Sequence, residues 1–279
     1  MPEPRFTDVR RFASIDSTNR YLLDEARAGA PEGVVAVADH QTAGRGRLGR
    51  TWEAPAGANL LLSVLLRPDL APGQRHLATT AVALAAVDAV DAVVAIGAGT
   101  GDGGAGSAGP SAGGARRVGI KWPNDLVASD GRKLAGVLAE ADLASAAPGA
   151  PAPVVVGIGI NVNWPGTDAD LPPELRGAAA SLRQLSGAEV DREALLAALL
   201  AALGPRVAAL ASDAGRSGLA EDLRAGCTTL GTAVRVDLPD GSFTGTAVSV
   251  TDDGHLVVDA DGAMRTVVAG DVVHVRPGA

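Results

Sequence analysis

Nine residues at positions 44–52, GRGRLGRTW, combine three arginines with three glycines and end in a tryptophan. We call this segment the arginine loop. Arginine binds phosphate and carboxylate groups through paired hydrogen bonds, and glycine lets backbone N–H groups approach a ligand closely. The indole of Trp52 adds a flat face for stacking. Because the whole chain has a formal net charge of −8, this local positive charge predicts a site for a phosphorylated ligand with a flat ring.

Two other interpretations of the arginine loop are open. A short Arg/Gly run is often only a solvated loop. Gly44, Gly46 and Gly49 also match the G-x-G-x-x-G dinucleotide fingerprint. Asp69 then follows at about the spacing that this motif requires. The fingerprint needs a helix opening at its third glycine, but here a proline and a glycine follow at once, and then a strand-like run at 60–66. The context therefore disfavours a dinucleotide fold.

Lysine, asparagine and tryptophan are scarce in this Ala/Gly/Val/Arg-rich chain, and they cluster. The only lysines are Lys121 and Lys133. Most of the asparagines and tryptophans lie in the arginine loop and in three further segments, DSTN (16–19), KWPND (121–125) and GINVNW (159–164). Scarce residue types are expected to persist where their chemistry is hard to replace. The clustering therefore predicts that these segments form one site.

Composition limits the class of protein. A chain of 279 residues with 47% hydrophobic content is expected to be globular, and its single cysteine, Cys227, forms no intramolecular disulfide. The charged N-terminus lacks the apolar stretch of a signal peptide, and the apolar run at 78–96 contains two aspartates. A pI near 5.0 disfavours broad nucleic-acid binding. We therefore expect a cytoplasmic protein that binds neither DNA nor membranes.

Sequence periodicity predicts an α+β fold, with a mixed β-sheet flanked by helices. The predicted strands are 33–38, 60–66, 118–121, 133–140 and 154–161, and the predicted helices are 12–29, 74–96 and 191–210, the last broken at Gly204 and Pro205. Gly157 and Gly159 alternate along one strand, so both leave space on the same face for a ligand.

The C-terminal part of the chain has a different pattern. Short alternating strands follow Cys227 and predict a small β-barrel with a support or docking role. The predicted domains are thus 1–225 and 226–279. The Gly/Ala-rich segment at 97–115 is expected to be flexible and without function.

The motifs together resemble the biotin protein ligases. DSTN, Gln41 with the arginine loop, KWPND with RKLAG, and GIGIN occur in this order over nearly the whole chain. The resemblance implies the fold shared by class II aminoacyl-tRNA synthetases and biotin ligases, followed by an SH3-like barrel. It also implies formation of biotinoyl-adenylate from biotin and MgATP, and then transfer of biotin to one lysine of a biotin carboxyl carrier domain. DSTN begins close to the N-terminus of this sequence, so we expect no helix-turn-helix and no DNA partner.

The resemblance also implies roles for individual residues. Those expected at biotin are Ser17, Thr18, Asn19, Gln41, Gly44, Arg45, Gly46, Arg47, Lys133, Gly136, Gly157 and Gly159. Those expected at ATP are Arg47, Arg50, Trp52, Lys121, Asn124, Asp125 and Asn161. Lys133, Arg47 and Arg45 are the expected catalytic residues. Asp125 is expected to hold Mg²⁺ through water, although an aspartate that caps a turn fits nearly as well.

Two other functions stay open at this point. A lipoate ligase or octanoyltransferase shares the general fold and acylates a carrier lysine, but is not expected to have GRGRxGRxW together with KWPND. A nucleotide sensor with an accessory barrel would need no acyl substrate. Pyrophosphate release that depends on biotin would separate all three.

Overall fold

The structure is a computed structural model that describes residues 5–98, 117–142, 151–239, 241–268 and 270–274. The segment predicted to be flexible, 97–115, lies outside the described residues except for 97 and 98, which end a helix.

The larger of two β-sheets has seven strands in the order β1-β2-β3-β7-β6-β5-β4. These strands are β1 (Val9–Phe12), β2 (Val35–Ala38), β3 (Leu60–Leu66), β4 (Val118–Lys121), β5 (Asp125–Ala128), β6 (Lys133–Ala141) and β7 (Val154–Ile160). The β1–β2 pair is parallel, and all the other neighbouring strands are antiparallel. The predicted mixed sheet is therefore confirmed.

In the described part of the chain, five α-helices pack around this sheet: α1 (Thr18–Arg27), α2 (His76–Ala98), α3 (Leu182–Ser186), α4 (Arg192–Ala208) and α5 (Asp213–Gly226). Alternate strand residues supply the two faces, as the strand period requires. Ala36 and Leu65 pack with Leu22 of α1, whereas Val35 and Val64 belong to the larger core that includes α2 and α4. The face under α1 is the one that carries the site described below.

Two helical segments, Pro72–Val94 and Arg192–Ala211, are long and apolar enough to cross a membrane by length and composition. The apolar window of the first is 78% buried inside the protein. The second packs against it through buried leucines such as Leu199 and Leu203. The apolar window of the second is 33% buried, so only the first has the burial of a core helix, and two such helices are weak support for a membrane span.

The second sheet has five antiparallel strands in the order β11-β10-β9-β8-β12. They are β8 (Ala233–Leu238), β9 (Gly241–Val250), β10 (Leu256–Ala260), β11 (Ala263–Val267) and β12 (Asp271–His274). Buried Trp122 ties this sheet to the larger one, because its backbone N–H donates to Thr229 Oγ1 at 3.0 Å and its indole N–H donates to Gly254 O at 2.9 Å. The α+β class with an SH3-like C-terminal sheet is confirmed, and the boundary at 225/226 stays a prediction.

Two predicted helices differ in the structure. The helix expected at 12–29 begins only at Thr18, because residues 9–12 pair with β2 and Ser17 adopts an extended conformation (φ −159°) as the N-cap. The break expected at Gly204 and Pro205 is wrong, because α4 continues through both residues. Buried Leu203 and Val207 on either side hold this turn against the core.

Candidate active site

The floor of the site is a row of residues in register across four strands. Lys121 of β4 pairs with Asp125 of β5, which pairs with Gly136 of β6, which pairs with Gly159 of β7. Cross-strand neighbours project from the same face of a sheet. The two glycines therefore form an open floor beside one carboxylate and one ammonium group. The four residues of this row come from three separate sequence motifs, and the structure brings them together.

Trp52 lies flat on this glycine floor. A Cβ atom on Gly159 would approach Trp52 Cε2 to 2.6 Å, and one on Gly136 would approach Trp52 Cζ3 to 3.2 Å. Lys133 Nζ lies 5.5 Å from the centroid of the indole ring and 2.7 Å from Asp125 Oδ1. The buried Trp52 Nε1 has no hydrogen-bond partner among the described residues. Any side chain at either glycine would therefore displace the indole.

A polar pocket adjoins the floor and is formed by Thr18, Asn19, Gln41 and Ser63. Ser17 caps α1, so its first residues, Thr18 and Asn19, are buried against the sheet, where Ser63 of β3 meets them. Both the backbone N–H and the hydroxyl of Thr18 donate to Gln41 Oε1, at 2.8 and 3.0 Å. Gly157 lies beneath Asn19 Oδ1 and leaves no room for a side chain.

The polar pocket has more acceptor oxygens than hydroxyl protons. Thr18 Oγ1 contacts Gln41 Oε1, and Ser63 Oγ contacts both Thr18 Oγ1 and Asn19 Oδ1 at 2.6 Å. Each hydroxyl has one proton and the two amide oxygens have none, so two protons serve three contacts. The Thr18 backbone N–H also donates to Gln41 Oε1, so each amide oxygen has one donor. A ligand N–H would donate to a lone pair that these oxygens keep free.

The arginines of the arginine loop contact residues far away in the sequence. Arg45 pairs with Glu140 of β6 at 3.2 Å. Arg47 donates to Asn124 Oδ1 at 3.1 Å and to the backbone oxygen of Gly270 in the C-terminal sheet at 2.7 Å. Arg50 pairs with Asp271 of β12 at 2.7 Å. The loop is thus held from both sheets.

Burial lowers the pKa of the Arg47 guanidinium from its ordinary value, while the nearby carboxylates of Asp271 and Asp125 act to raise it. A guanidinium stays charged under such shifts. Leu48 next to it has a positive φ of 56° and is 70% exposed. The backbone thus turns sharply at Leu48. The Arg47 guanidinium beside this turn stays charged and acts on Asp125 of the glycine row.

Other predicted residues have contacts within the fold. Asn124 Nδ2 donates to Val137 O at 2.7 Å, which fixes the amide oxygen that accepts from Arg47. Asn161 is buried, and its amide bonds to Asn59 and to Ala180 O. The Gly46 N–H donates to Arg50 O at 2.7 Å, and a Cβ atom on Gly44 would collide with Trp52 O. The predicted roles of these residues at biotin or ATP stay predictions.

Four contacting residues were missed by the sequence interpretation. Ser63 is a single polar residue in the apolar strand LLLSVLL. Glu140 lies four residues after Gly136 and therefore on the same face of β6. Both residues thus had a sequence pattern that could have placed them at the site. Asp271 is the first residue of β12 and Gly270 directly precedes it, and no local pattern connects either residue with the arginine loop.

Comparison with protein families agrees with this geometry. The sequence model of the biotin/lipoate A/B protein ligase family matches residues 11–161, and the model of the biotin protein ligase C-terminal domain matches residues 229–275. The chain belongs to the biotin/lipoate protein ligase family. Within this family it is similar to the biotin--[acetyl-CoA-carboxylase] ligase of Mycobacterium tuberculosis, with 39% identity over 95% of this chain and 88% of the relative.

Two further family members extend the comparison. The bifunctional ligase/repressor BirA of Bacillus subtilis is 30% identical over 92% of this chain and 71% of its own length. The biotin protein ligase of Aquifex aeolicus, solved in complex with biotin and ATP, has a TM-score of 0.75 and 24% identity, and the match covers 97% of this chain and 100% of that one. At that identity the structural likeness establishes the fold alone.

Proposed function

We propose that this chain is a biotin protein ligase, which joins biotin to AMP and then transfers the biotinoyl group to a lysine of a biotin carboxyl carrier domain. The observation that carries the proposal is the buried polar pocket placed next to a glycine floor with a lysine and arginines around it. One part suits a neutral polar ring, and the other suits anions. The relatives named as biotin--[acetyl-CoA-carboxylase] ligases support the same substrate and reaction.

The polar pocket favours biotin over lipoate or octanoate. The ureido ring of biotin has two N–H donors and one carbonyl oxygen, whereas lipoate and octanoate have an apolar end. An apolar group against Thr18, Asn19, Gln41 and Ser63 would shield the free lone pairs of these oxygens from water and offer them no donor. Sites built to hydrogen-bond a substrate reject analogues that lack those groups by about 10⁴–10⁵. The lipoate alternative is therefore disfavoured.

In the first step a carboxylate oxygen of biotin attacks the α-phosphorus of ATP, and the bond to pyrophosphate breaks. Two anions must approach each other, so nearby positive charges lower the barrier. We assign this role to Arg45, Arg47 and Lys133, and assign Trp52 to a ring face of the nucleotide or the ligand. In the second step the neutral amine of the carrier lysine attacks the acyl carbon, AMP leaves with the bonding electrons, and the proton that the amine loses passes to solvent.

Magnesium is expected to arrive with ATP, since Mg²⁺ usually keeps several waters and binds through substrate phosphates with one or two carboxylates. Asp125 fits such a role because it lies on the glycine row, where its Oδ1 pairs with Lys133. Among the described residues no group of three or more His, Cys, Asp or Glu forms a metal cage. The donor set therefore fits a metal held mainly by nucleotide and water, which would offset phosphate charge.

We further propose a catalytic domain at residues 1–225 and a C-terminal domain at 226–279 that supports the arginine loop through Gly270 and Asp271. A cytoplasmic location, with access to ATP and to the carrier, fits a chain with one buried cysteine.

The decisive experiment measures pyrophosphate release from ATP with biotin, lipoate or octanoate as the acid. We expect release with biotin alone, followed by labelling of a biotin carboxyl carrier domain when one is added. The carrier with its target lysine changed to arginine serves as the control and should stay unlabelled. Equal release with lipoate, or release without any acid, would contradict the proposal.

A further inference from the structure

Glu140, near the end of β6, contacts two parts of the site at once. Its carboxylate accepts a hydrogen bond from Asn19 Nδ2 at 2.8 Å and pairs with the Arg45 guanidinium at 3.2 Å. Asn19 belongs to the polar pocket and Arg45 to the arginine loop. Glu140 therefore joins the pocket that takes the neutral ring to the loop that carries the positive charge.

The carboxylate also determines the orientation of the Asn19 amide. An ionised carboxylate only accepts hydrogen bonds, so the amide nitrogen must face Glu140, where it also reaches Leu138 O at 3.2 Å. Asn19 Oδ1 then faces the opposite way and accepts from Ser63 Oγ at 2.6 Å. Without Glu140 the amide nitrogen loses the charged acceptor that keeps the amide oxygen turned toward the pocket, where a ureido N–H needs an acceptor.

A groove of about 490 Å³ opens on the other side of the Glu140–Arg45 pair. Ser17, Arg20, Arg27 and Ala43 line it together with this pair, and Asn19 does not. The side chain of Glu140 is 24% exposed and that of Arg45 is 48% exposed, so the pair stands between the buried pocket and solvent. Glu140 thus contacts Asn19 on one side and lines the groove on the other, and we call the Glu140–Arg45 pair the end wall of the polar pocket.

We propose that Glu140 is a specificity-determining residue, which closes the polar pocket by fixing the Asn19 amide and bracing Arg45 across its end. It is a positioning residue, since it acts on the substrate ring through Asn19 and Arg45. The inference rests on the proposed function, because it places the ureido ring in the polar pocket.

The first test compares KM values in biotin-dependent pyrophosphate release. Glu140→Ala should raise KM for biotin about tenfold, the effect of losing a hydrogen bond to a charged group, and change KM for ATP less than twofold. Glu140→Gln should recover most of the loss, because its amide oxygen still accepts from Asn19. Asp142→Ala is the matched control, since Asp142 lies two residues further along and pairs with Arg27 at 2.6 Å. This control should leave both KM values unchanged.

The second test measures selectivity. Biotin with an alkyl group on a ureido nitrogen should be a poor substrate for the wild-type chain because the end wall blocks it. In Glu140→Ala the substituent has access to the groove, so the ratio of kcat/KM for the analogue to kcat/KM for biotin should rise at least about tenfold, a 1.4 kcal/mol change in discrimination. Glu140→Gln, which keeps the volume of the side chain, should retain the wild-type ratio.

Several outcomes would overturn the inference. An unchanged KM for biotin in Glu140→Ala would do so, and so would an unchanged selectivity ratio. Equal rises in both KM values together with a lower melting temperature would show that Glu140 only supports the fold. A wild-type chain that releases no pyrophosphate with biotin would overturn the proposed function itself, whereas an active wild type with unaltered Glu140 variants would overturn only this inference.

Discussion

The polar pocket and the arginine loop are neighbours, but they are built in different ways. The side chains of Thr18, Asn19 and Ser63 stand on a helix and a strand and are buried, and each contacts another member of the pocket. The arginines of the loop stand on irregular backbone, and their partners lie as far away as Gly270 and Asp271 in the other sheet. The side chains of the pocket are held in place by the protein core, whereas the arginines of the loop are held in place by contacts with distant residues.

This difference matches what each part must do in the proposed reaction. A neutral ring is recognised by fixed donors and acceptors, which cost little to organise when they are already in place. The phosphates change during the reaction, since pyrophosphate leaves and a carrier lysine must then enter. Loops that open and close serve such steps. We therefore expect changes in the pocket to alter biotin binding, and changes in the loop to alter nucleotide handling.

The largest effect is expected for Lys133. It stands on the sheet beside the pocket, but its proposed role is to offset the negative charge of the reacting groups. Lys133→Ala should lower the rate of pyrophosphate release by about 10²–10³, because an oriented cation is lost where negative charge develops. Biotin affinity measured by calorimetry should fall by a smaller factor than the rate. Arg132→Ala is the control, since Arg132 pairs with Asp130 at 2.7 Å. A loss below tenfold for Lys133→Ala would place its charge outside the reaction.

The junction between the two sheets gives a pH-dependent prediction. His76 is buried next to Gly254 and Trp122, and its Nε2 has no partner among the described residues. Burial, and then the charges of His255 and Arg47, lower the pKa of His76 from 6.5 to about 4. Between these values the unfolded chain binds more protons than the folded chain. The free energy of unfolding should therefore fall as the pH drops from 6.5, by about 3 kcal/mol near pH 4.

Urea unfolding at several pH values would measure this effect. His76→Phe should remove that part of the pH dependence, while His40→Phe, at a half-buried histidine whose ring contacts Ser14, should keep it. An identical pH profile for His76→Phe and the wild type would mean that His76 is not the titrating group.

A smaller effect is expected in the polar pocket. Thr18→Val removes a buried hydroxyl and leaves Gln41 Oε1 and Ser63 Oγ each with one contact fewer. KM for biotin should rise about 10- to 100-fold, with kcat nearly unchanged, because the ring is held in both the ground state and the transition state. Thr42→Val is the same substitution at an exposed hydroxyl one residue beyond Gln41. A drop in kcat with an unchanged KM would contradict the division between pocket and loop.

The sequence predicted the strands under the site better than it predicted the contacts of the arginine loop, and the reason is physical. Strands such as 60–66 and 118–121 appear in the structure with the predicted bounds, because the first is a mostly apolar buried run and the second alternates between buried and partly exposed residues. The spacing of Gly157 and Gly159 likewise predicted that both leave space on one face of their strand, and both face the site in the structure. Glu140 and Asp271 contact Arg45 and Arg50 over 95 and 221 residues of sequence, and no local pattern carries such a pairing. Pro205 was misjudged because tertiary packing outweighed its helix-breaking tendency.

The smallest effect is expected where the C-terminal sheet holds the arginine loop. Arg50 is 68% exposed and Asp271 is 28% exposed, so their ion pair is worth at most about 1 kcal/mol. Asp271→Ala should raise KM for ATP about two- to fivefold without affecting KM for biotin. A charge swap is sharper, because Arg50→Asp and Asp271→Arg should each weaken ATP use, while the double variant should recover part of the loss. Simple addition of the two single effects would mean that the residues act independently. In that case the described contact that ties the loop to the C-terminal part of the chain would be the Arg47 hydrogen bond to Gly270 O.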